Sequence, residues 1–468
     1  MDIDDIYSRI GEWGFRQKVY CYIIFTGQTL AALYMVMMTF VGNTPGFNCV
    51  NSKDLHAGAE GKLKYDVRRS PQQACADYAR GKCDTFLYAS NWTSLPQEMN
   101  LVCDEAYKVD FSQSLFMGGV LVGALFWGVV ADNIGRIRTI YLTIVITFVA
   151  SVSVCVVPSF TFFAFSRFLT GVGVAGFGIV TFVLGSELIG GRMRAFYTVM
   201  YTSFFALGIC LLVALALLVS HWRSLSILIS CCTALMALML LKLPESPRWL
   251  LSKGRVDAAR RVLETIARGN GVHDASGYEL KLPDSPSSTP RKQQKHTAAA
   301  SSSSSPPGLG TLFLHWKSLK WTLILVFSWF TNSAVYYGLT MASGRLSSSL
   351  YASVLLSGVV ELPAYALVQL AQARLGRRLL ICAPMLLGGA ACVSILFLPP
   401  PSSSSSASSA QLRSVFALLG KLGISASFAA IYLHSAEVFP TVIRTAGLGF
   451  CSMAARIGGV TAPAILLV

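Results

Sequence analysis

The sequence predicts an all-α membrane protein built from two repeated helical bundles. Three observations predict it: a shortage of charge, a series of apolar segments long enough to cross a bilayer, and short motifs that recur at matching segment ends in the two halves. Of the 468 residues, 53% are hydrophobic and only 13% charged, and the mean hydropathy is +0.56. Water-soluble domains carry roughly a quarter charged residues, so this chain has too little polar surface to face water.

Apolar segments read at roughly 19–41, 111–131, 139–157, 161–184, 196–219, 224–243, 321–343, 348–370, 379–398, 414–436 and 447–468, each near the ~20 residues that a helix needs to span hydrocarbon. That makes about eleven spans. The first follows an acidic start (Asp2, Asp4, Asp5) and is too long for the apolar core of a signal peptide, so it is expected to remain in place. The net charge of +15 lies beside segment ends: Arg9, Arg16 and Lys18 before the first, Arg136 and Arg138 after the second, Arg192 and Arg194 after the fourth, Arg248 to Arg261 after the sixth, and Arg374, Arg377 and Arg378 after the eighth. This is the positive-inside distribution with a cytoplasmic N-terminus. It explains the basicity without nucleic acid as a partner.

The polar stretch 42–110 then falls outside. It carries Cys49, Cys75, Cys83 and Cys103 and the sequon Asn91-Trp92-Thr93. An even cysteine set in an oxidising compartment predicts disulfides, with three connectivities open, and Asn91 is a glycan acceptor. The other cysteines sit on apolar segments and read as small packing residues. No His/Cys/Asp/Glu cluster suggests a metal, cofactor or enzyme site.

Three domains are expected: an N-terminal bundle (1–245), a cytoplasmic loop with a Ser/Pro-rich disordered linker (246–320), and a C-terminal bundle (321–468). Gly135-Arg136 follows the second span and Gly376-Arg377 the eighth. Glu187 and Arg194 close the fourth span, and Glu437 and Arg444 close the tenth with the same internal spacing. Duplicated six-helix bundles are the plan of major facilitator transporters. The eleventh segment reaches Val468, so a twelfth helix is expected to be missing from the second bundle.

Gly128 to Arg138 resembles the cytoplasmic signature of the major facilitator superfamily. Its glycines permit a tight turn, and Asp132 and Arg136 stand at pairing distance. With Gly135, Glu187, Arg194, Glu437 and Arg444 they form the expected inner gate, whose contacts must break for the carrier to open inward. Asn133 and Ile137 replace basic residues of that signature, and Ala373 replaces the acid of the second copy.

Charges within spans cost about 2.5–3.5 kcal/mol near a helix centre and usually face a cavity. Here they are Arg167, Glu361, Lys421 and Arg456. Helical spacing groups Ser357, Glu361 and Tyr365; Lys421, Ser425, Phe428 and Tyr432; and Trp329, Asn332, Ser333 and Tyr336, with Tyr337 alongside. These stripes predict a wet, aromatic central cavity suited to cations, with Arg167 and Lys421 open to a second reading as buried structural ion pairs.

Pro244–Leu251, Val335–Thr340 and Glu437–Arg444 resemble solute carrier family twenty-two, which comprises organic cation, anion and zwitterion/carnitine transporters. The long cysteine-bearing outer loop resembles that family too, though with fewer cysteines than many members have. The resemblance implies a plasma-membrane carrier of small organic ions working by alternating access, with the bilayer and a coupling ion, sodium or proton, as partners. It also implies that an arginine at Arg456 belongs to anion and carnitine carriers and an acid at Glu361 to cation and zwitterion carriers. Together they predict zwitterions first, small cations second and simple anions last. A sugar porter and a truncated, non-transporting regulatory form are the alternatives.

Overall fold

The computed structural model describes residues 3–50, 71–89, 92–156, 159–272, 316–342, 349–372, 374–398, 407–439 and 444–465. A short amphipathic helix α1 (Ile3–Ile10) precedes α2 (Phe15–Val36). The outer loop holds α3 (Pro71–Ala79). Then come α4 (Tyr107–Ile134), α5 (Arg136–Ser153), α6 (Phe160–Glu187), α7 (Arg194–Leu218) and α8 (Trp222–Leu240). Two surface helices, α9 (Pro247–Ser252) and α10 (Val256–Gly269), end the first half. The second half contains α11 (Trp316–Ala342), α12 (Leu350–Ala371), α13 (Arg377–Leu396), α14 (Ala407–Val438) and α15 (Arg444–Ile465).

Among the described residues, nine helices are long and apolar enough to cross a membrane. The expected count of eleven is not reached on that measure, because α11 and α15 fall outside the set.

Packing repeats as the motifs do. In the first half α4 packs on α6, α5 on α6, α2 on α7 and α2 on α6; in the second α12 packs on α14, α13 on α14, α11 on α15 and α11 on α14. The halves meet through α7 against α12 and α15 against α4, two contacts that exchange under the repeat. Close approach of α4 and α6 depends on absent side chains: a Cβ on Gly119 would fall 2.1 Å from Phe168 O, and one on Gly171 2.1 Å from Phe116 O. Small residues at such crossings let helices pack where hydrophobic driving force is lacking. Leu125, Val129, Leu217, Leu218, Leu386 and Leu396 are exposed on the outer flanks, where a bilayer would cover them.

The outer loop folds as a small unit. Strand β1 (Phe47–Val50) pairs antiparallel with β2 (Thr85–Tyr88). Disulfides join Cys49 to Cys83 and Cys75 to Cys103, choosing one of the three open connectivities. Glu98 fastens the unit to α8 by accepting from Trp222 Nε1 (2.7 Å) and Arg223 Nε (3.0 Å). The Arg223 hydrogen bonds hold the Glu98 carboxyl below its usual range. Asn91 lies outside the described residues.

At the opposite end α1 and α10 form a plate under the first half. Ile3, Ile6, Tyr7 and Ile10 of α1 and Ala259, Leu263, Ile266 and Ala267 of α10 are buried in one apolar core. Asn270 pins the two together: its Nδ2 donates to Ile10 O (2.9 Å) and Gln17 Oε1 (3.0 Å), and its Oδ1 accepts from Arg16 N (3.1 Å).

Candidate functional site

Two sites emerge, a charged cluster at the α4–α5 turn and a cavity between the halves. At the turn, Gly135 has φ +108°, a conformation that side chains rarely adopt. It allows α5 to start one residue after α4 ends. Arg136 is the hub. Its Nη1 donates to Asp132 Oδ1 (2.8 Å) and Ala131 O (3.0 Å), while Nε and Nη2 donate to the two oxygens of Glu187 (3.2 and 3.1 Å). The Asp132 side chain is 72% exposed and that of Glu187 only 17%, so the two-pronged Glu187 contact is the stronger one, exposed pairs being worth little.

Sequence reading missed Glu245. Its carboxylate accepts from the backbone N–H groups of Arg136 (3.0 Å) and Ile137 (3.2 Å), which caps the positive end of α5. Trp249 Nε1 donates to Asp132 O (2.9 Å). Arg194 does not turn to Glu187; Asp4 accepts from both Arg194 (3.2 Å) and Arg248 (2.5 Å). In the second copy Arg377 Nη1 donates to Gln372 O (2.8 Å), and the side chains of Glu437 and Arg444 lie outside the described residues.

The cavity, about 250 Å³, is enclosed by Gln28, Met35, Tyr201, Thr202 and Phe205 from the first half and Ser333, Tyr336, Tyr337, Tyr365, Phe428, Tyr432, Ser452 and Arg456 from the second. Its lining extends to Thr198, about one turn along α7 from Arg194. Among the described residues, hydrogen bonds and ring contacts between the halves include several from mid-bundle towards the disulfide-bearing end. Ser114 Oγ donates to Val460 O (3.1 Å), Tyr337 OH to Met35 Sδ (3.4 Å), and Phe40 meets Tyr351 at 5.4 Å between ring centroids.

Arg456 is the one charged side chain on the cavity wall among the described residues. Its guanidinium stands near the phenols of Tyr337, Tyr432 and Tyr201. It forms no ion pair among the described residues, and its buried Nε has no hydrogen-bond partner there.

The expectation that Glu361 faces Arg456 across open cavity differs from what the structure has. Glu361 is 0% and Lys421 2% exposed, and they pair at 3.0 Å behind the wall. Tyr336 OH donates to Glu361 Oε1 (2.7 Å) and Tyr365 OH to Oε2 (2.8 Å). Lys421 Nζ also donates to Thr340 Oγ1 and stands 3.4 Å from the Tyr336 ring centroid. The ammonium and two phenols within reach offset the desolvation of a carboxylate that would be costly to bury alone. Trp329 is likewise one layer back. It donates from Nε1 to Ser435 Oγ (2.9 Å) and stacks edge-on against Tyr432 with centroids 4.3 Å apart. The structure thus brings Tyr336, Tyr337, Tyr365 and Arg456 to the wall and sets Glu361, Lys421 and Trp329 behind it.

Such a cavity offers one fixed positive charge and several ring faces. It can accept an anionic group at Arg456 and hold a soft cation against the aromatic rings.

Comparison with known proteins gives the context. Residues 84–467 match the family described as Sugar (and other) transporter. The chain is 33% identical to a solute carrier family 22 member 15-like protein of Xenopus laevis, covering 99% of this chain and 87% of that one. It is 31% identical to the organic cation transporter protein of Drosophila melanogaster, over 100% and 87%, and 29% identical to organic cation/carnitine transporter 4 of Arabidopsis thaliana, over 99% and 83%. In three dimensions it resembles the inward-open xylose transporter XylE from E. coli, with a TM-score of 0.58 at 14% identity over 95% of this chain and 88% of that one.

Proposed function

The chain belongs to solute carrier family 22, within the sugar (and other) transporters of the major facilitator fold, and on that premise we propose that it carries small zwitterions bearing a quaternary ammonium and a carboxylate. One observation supports this reading above others: the cavity is walled by aromatic rings and carries Arg456 as its one charge among the described residues. A carboxylate pairs with Arg456, and the ammonium at the other end of the same molecule rests on ring faces. A simple cation satisfies the rings but is repelled by Arg456, whereas a simple anion pairs with Arg456 and leaves the rings unused. Because Lys421 neutralises Glu361, the order of cations before anions no longer follows from charge. Zwitterions ahead of both does.

The test is uptake of a trimethylammonium carboxylate, a quaternary ammonium and an aromatic carboxylate by wild type and Arg456→Asp at matched surface expression. Arg456→Asp is expected to lower zwitterion uptake at least tenfold and to raise cation uptake, since like-charge juxtaposition costs several kcal/mol. An unchanged ranking overturns the reading, and competition by hexoses rather than organic ions would favour a sugar porter.

The cavity lining reaches towards the Arg136 end, which supports an inward-facing state. The Arg136 cluster would then act as part of the inner gate that closes in the opposite state. Asp132→Asn is expected to lower maximal uptake about fivefold with KM within about twofold, consistent with loss of one partly exposed charge contact. A raised KM at unchanged maximal rate would contradict a gating role.

A further inference from the structure

We propose that Glu361 sets affinity for the substrate's cationic group without touching it, by acting through the phenols of Tyr365 and Tyr336. The proposal rests on the reading of the cavity as a quaternary ammonium site. Both tyrosines line the cavity, and both hydroxyls point away from it to donate to Glu361, at 2.8 Å from Tyr365 and 2.7 Å from Tyr336. The carboxylate itself is fully buried and already paired with Lys421. A substrate ammonium therefore meets rings, and the acid stands behind them.

The chemistry of that arrangement is directional. A phenol that donates to a carboxylate gains negative charge on its oxygen, and part of that density passes into the ring. Attraction of a cation to a ring face is electrostatic, so a richer ring binds the ammonium more tightly. The same two hydrogen bonds fix each ring at both ends and hold its face towards the cavity. The two rings are not equivalent. Lys421 lies 3.4 Å from the Tyr336 centroid, and its charge opposes a second cation on that ring. Tyr365 carries no such cation among the described residues, so Tyr365 is the face that gains. Lys421 also balances the acid, which keeps the substrate's cation from being drawn through the rings into a contact pair that it could not leave. Glu361 is in these terms a positioning residue for the ammonium subsite.

A double-mutant cycle separates this from direct contact. Wild type, Glu361→Gln/Lys421→Met, Tyr336→Phe/Tyr365→Phe and the combination of all four are compared at matched surface expression. The probes are uptake of a trimethylammonium carboxylate and its inhibition by the carboxylate in which tert-butyl replaces trimethylammonium. Removing the ion pair and removing the two hydroxyls are each expected to raise KM for the ammonium probe about fivefold, roughly half the free energy of one desolvated cation–ring contact, since the rings remain. The combination should raise it no further, since either change breaks the same link, and inhibition by the tert-butyl compound should not move. Multiplying effects would mean that Glu361 acts on the substrate directly and overturn the proposal. Equal weakening of the tert-butyl compound would mean a general packing role and overturn it too. Should the paired variant fail to reach the surface, Tyr365→Phe alone decides. The ring remains and the bond to Glu361 goes, so an unchanged KM for the ammonium probe overturns the proposal. Absence of ammonium-probe uptake by wild type removes the cavity reading itself, an outcome distinct from failure of the cycle.

Discussion

Each half of the molecule buries a cation on its fourth spanning helix, and the two are held by different means. In the first half Arg167 on α6 reaches α4, where its Nη2 donates to Gln113 Oε1 (2.8 Å). Nη1 donates to Tyr34 O (3.4 Å), and the guanidinium lies 4.2 Å from the Phe116 ring centroid. All of its described partners are neutral. In the second half Lys421 on α14 reaches α12, the counterpart of α4, and finds the carboxylate of Glu361. The same pair of helices is bridged in the same direction, once by an amide and once by an acid. Neutral dipoles hold a planar guanidinium in one geometry and offer it nothing to exchange. A full charge pair beside the cavity can be repolarised by what enters. The first half therefore uses its buried cation as a fastening, whereas the second sets its own ion pair directly behind two cavity-lining tyrosines.

The sharpest way to break this comparison is to remove each cation in turn. Lys421→Met strands the Glu361 carboxylate in the protein interior and should destabilise by about 3–5 kcal/mol, read as loss of surface expression and of the thermal midpoint in detergent. Adding Glu361→Gln should restore most of both. Arg167→Met strands only neutral acceptors, the Gln113 amide oxygen and the more distant Tyr34 carbonyl, so its cost should be about 1–3 kcal/mol. An Arg167→Met defect as large as that of Lys421→Met would mean that Arg167 has a charged partner after all.

A gentler change sharpens the same contrast at the repeated turns. Gly135 has φ +108°, and a Cβ there would lie 2.6 Å from Glu245 Oε2, whereas Gly376 has φ −63° and open space around it. Gly135→Ala should lower stability by about 1–3 kcal/mol, and Gly376→Ala should leave the thermal midpoint where it is. The two turns share a motif but not a conformation.

Much of the fold was legible because the features that carry it are local. Apolar runs, flanking arginines and recurring Gly-Arg and Glu…Arg spacings can all be counted along the chain. The Asp132–Arg136 pair was legible for the same reason, as neighbours one helical turn apart. What escaped reading was pairing at a distance. Glu245 caps the helix of Arg136 across 109 residues, and its Pro-Glu-Ser-Pro setting could signal a helix start but not the helix whose end it would cap. The partners of Lys421 and Arg167 escaped likewise. Periodicity places a residue on a face of its own helix but does not say which face of a neighbour it meets. Helix α1 was missed because eight residues are too few for a hydropathy window, although its Ile3, Ile6, Tyr7, Ile10 spacing is amphipathic.

The plate formed by α1 and α10 carries a mechanical consequence. Pinned by Asn270 and tied to α7 and α9 through Asp4, it braces the inner ends of the first-half helices against one another. Any bending moment applied there is shared among several helices instead of flexing one. In the proposed alternating-access cycle the first half would then serve as a stator: a stiff frame against which the other half swings while helix ends in the frame keep their spacing. Displacement at the cavity would then be converted into rotation at the α7–α12 and α4–α15 seams, the two places where the halves meet, with little lost to deformation of the frame itself.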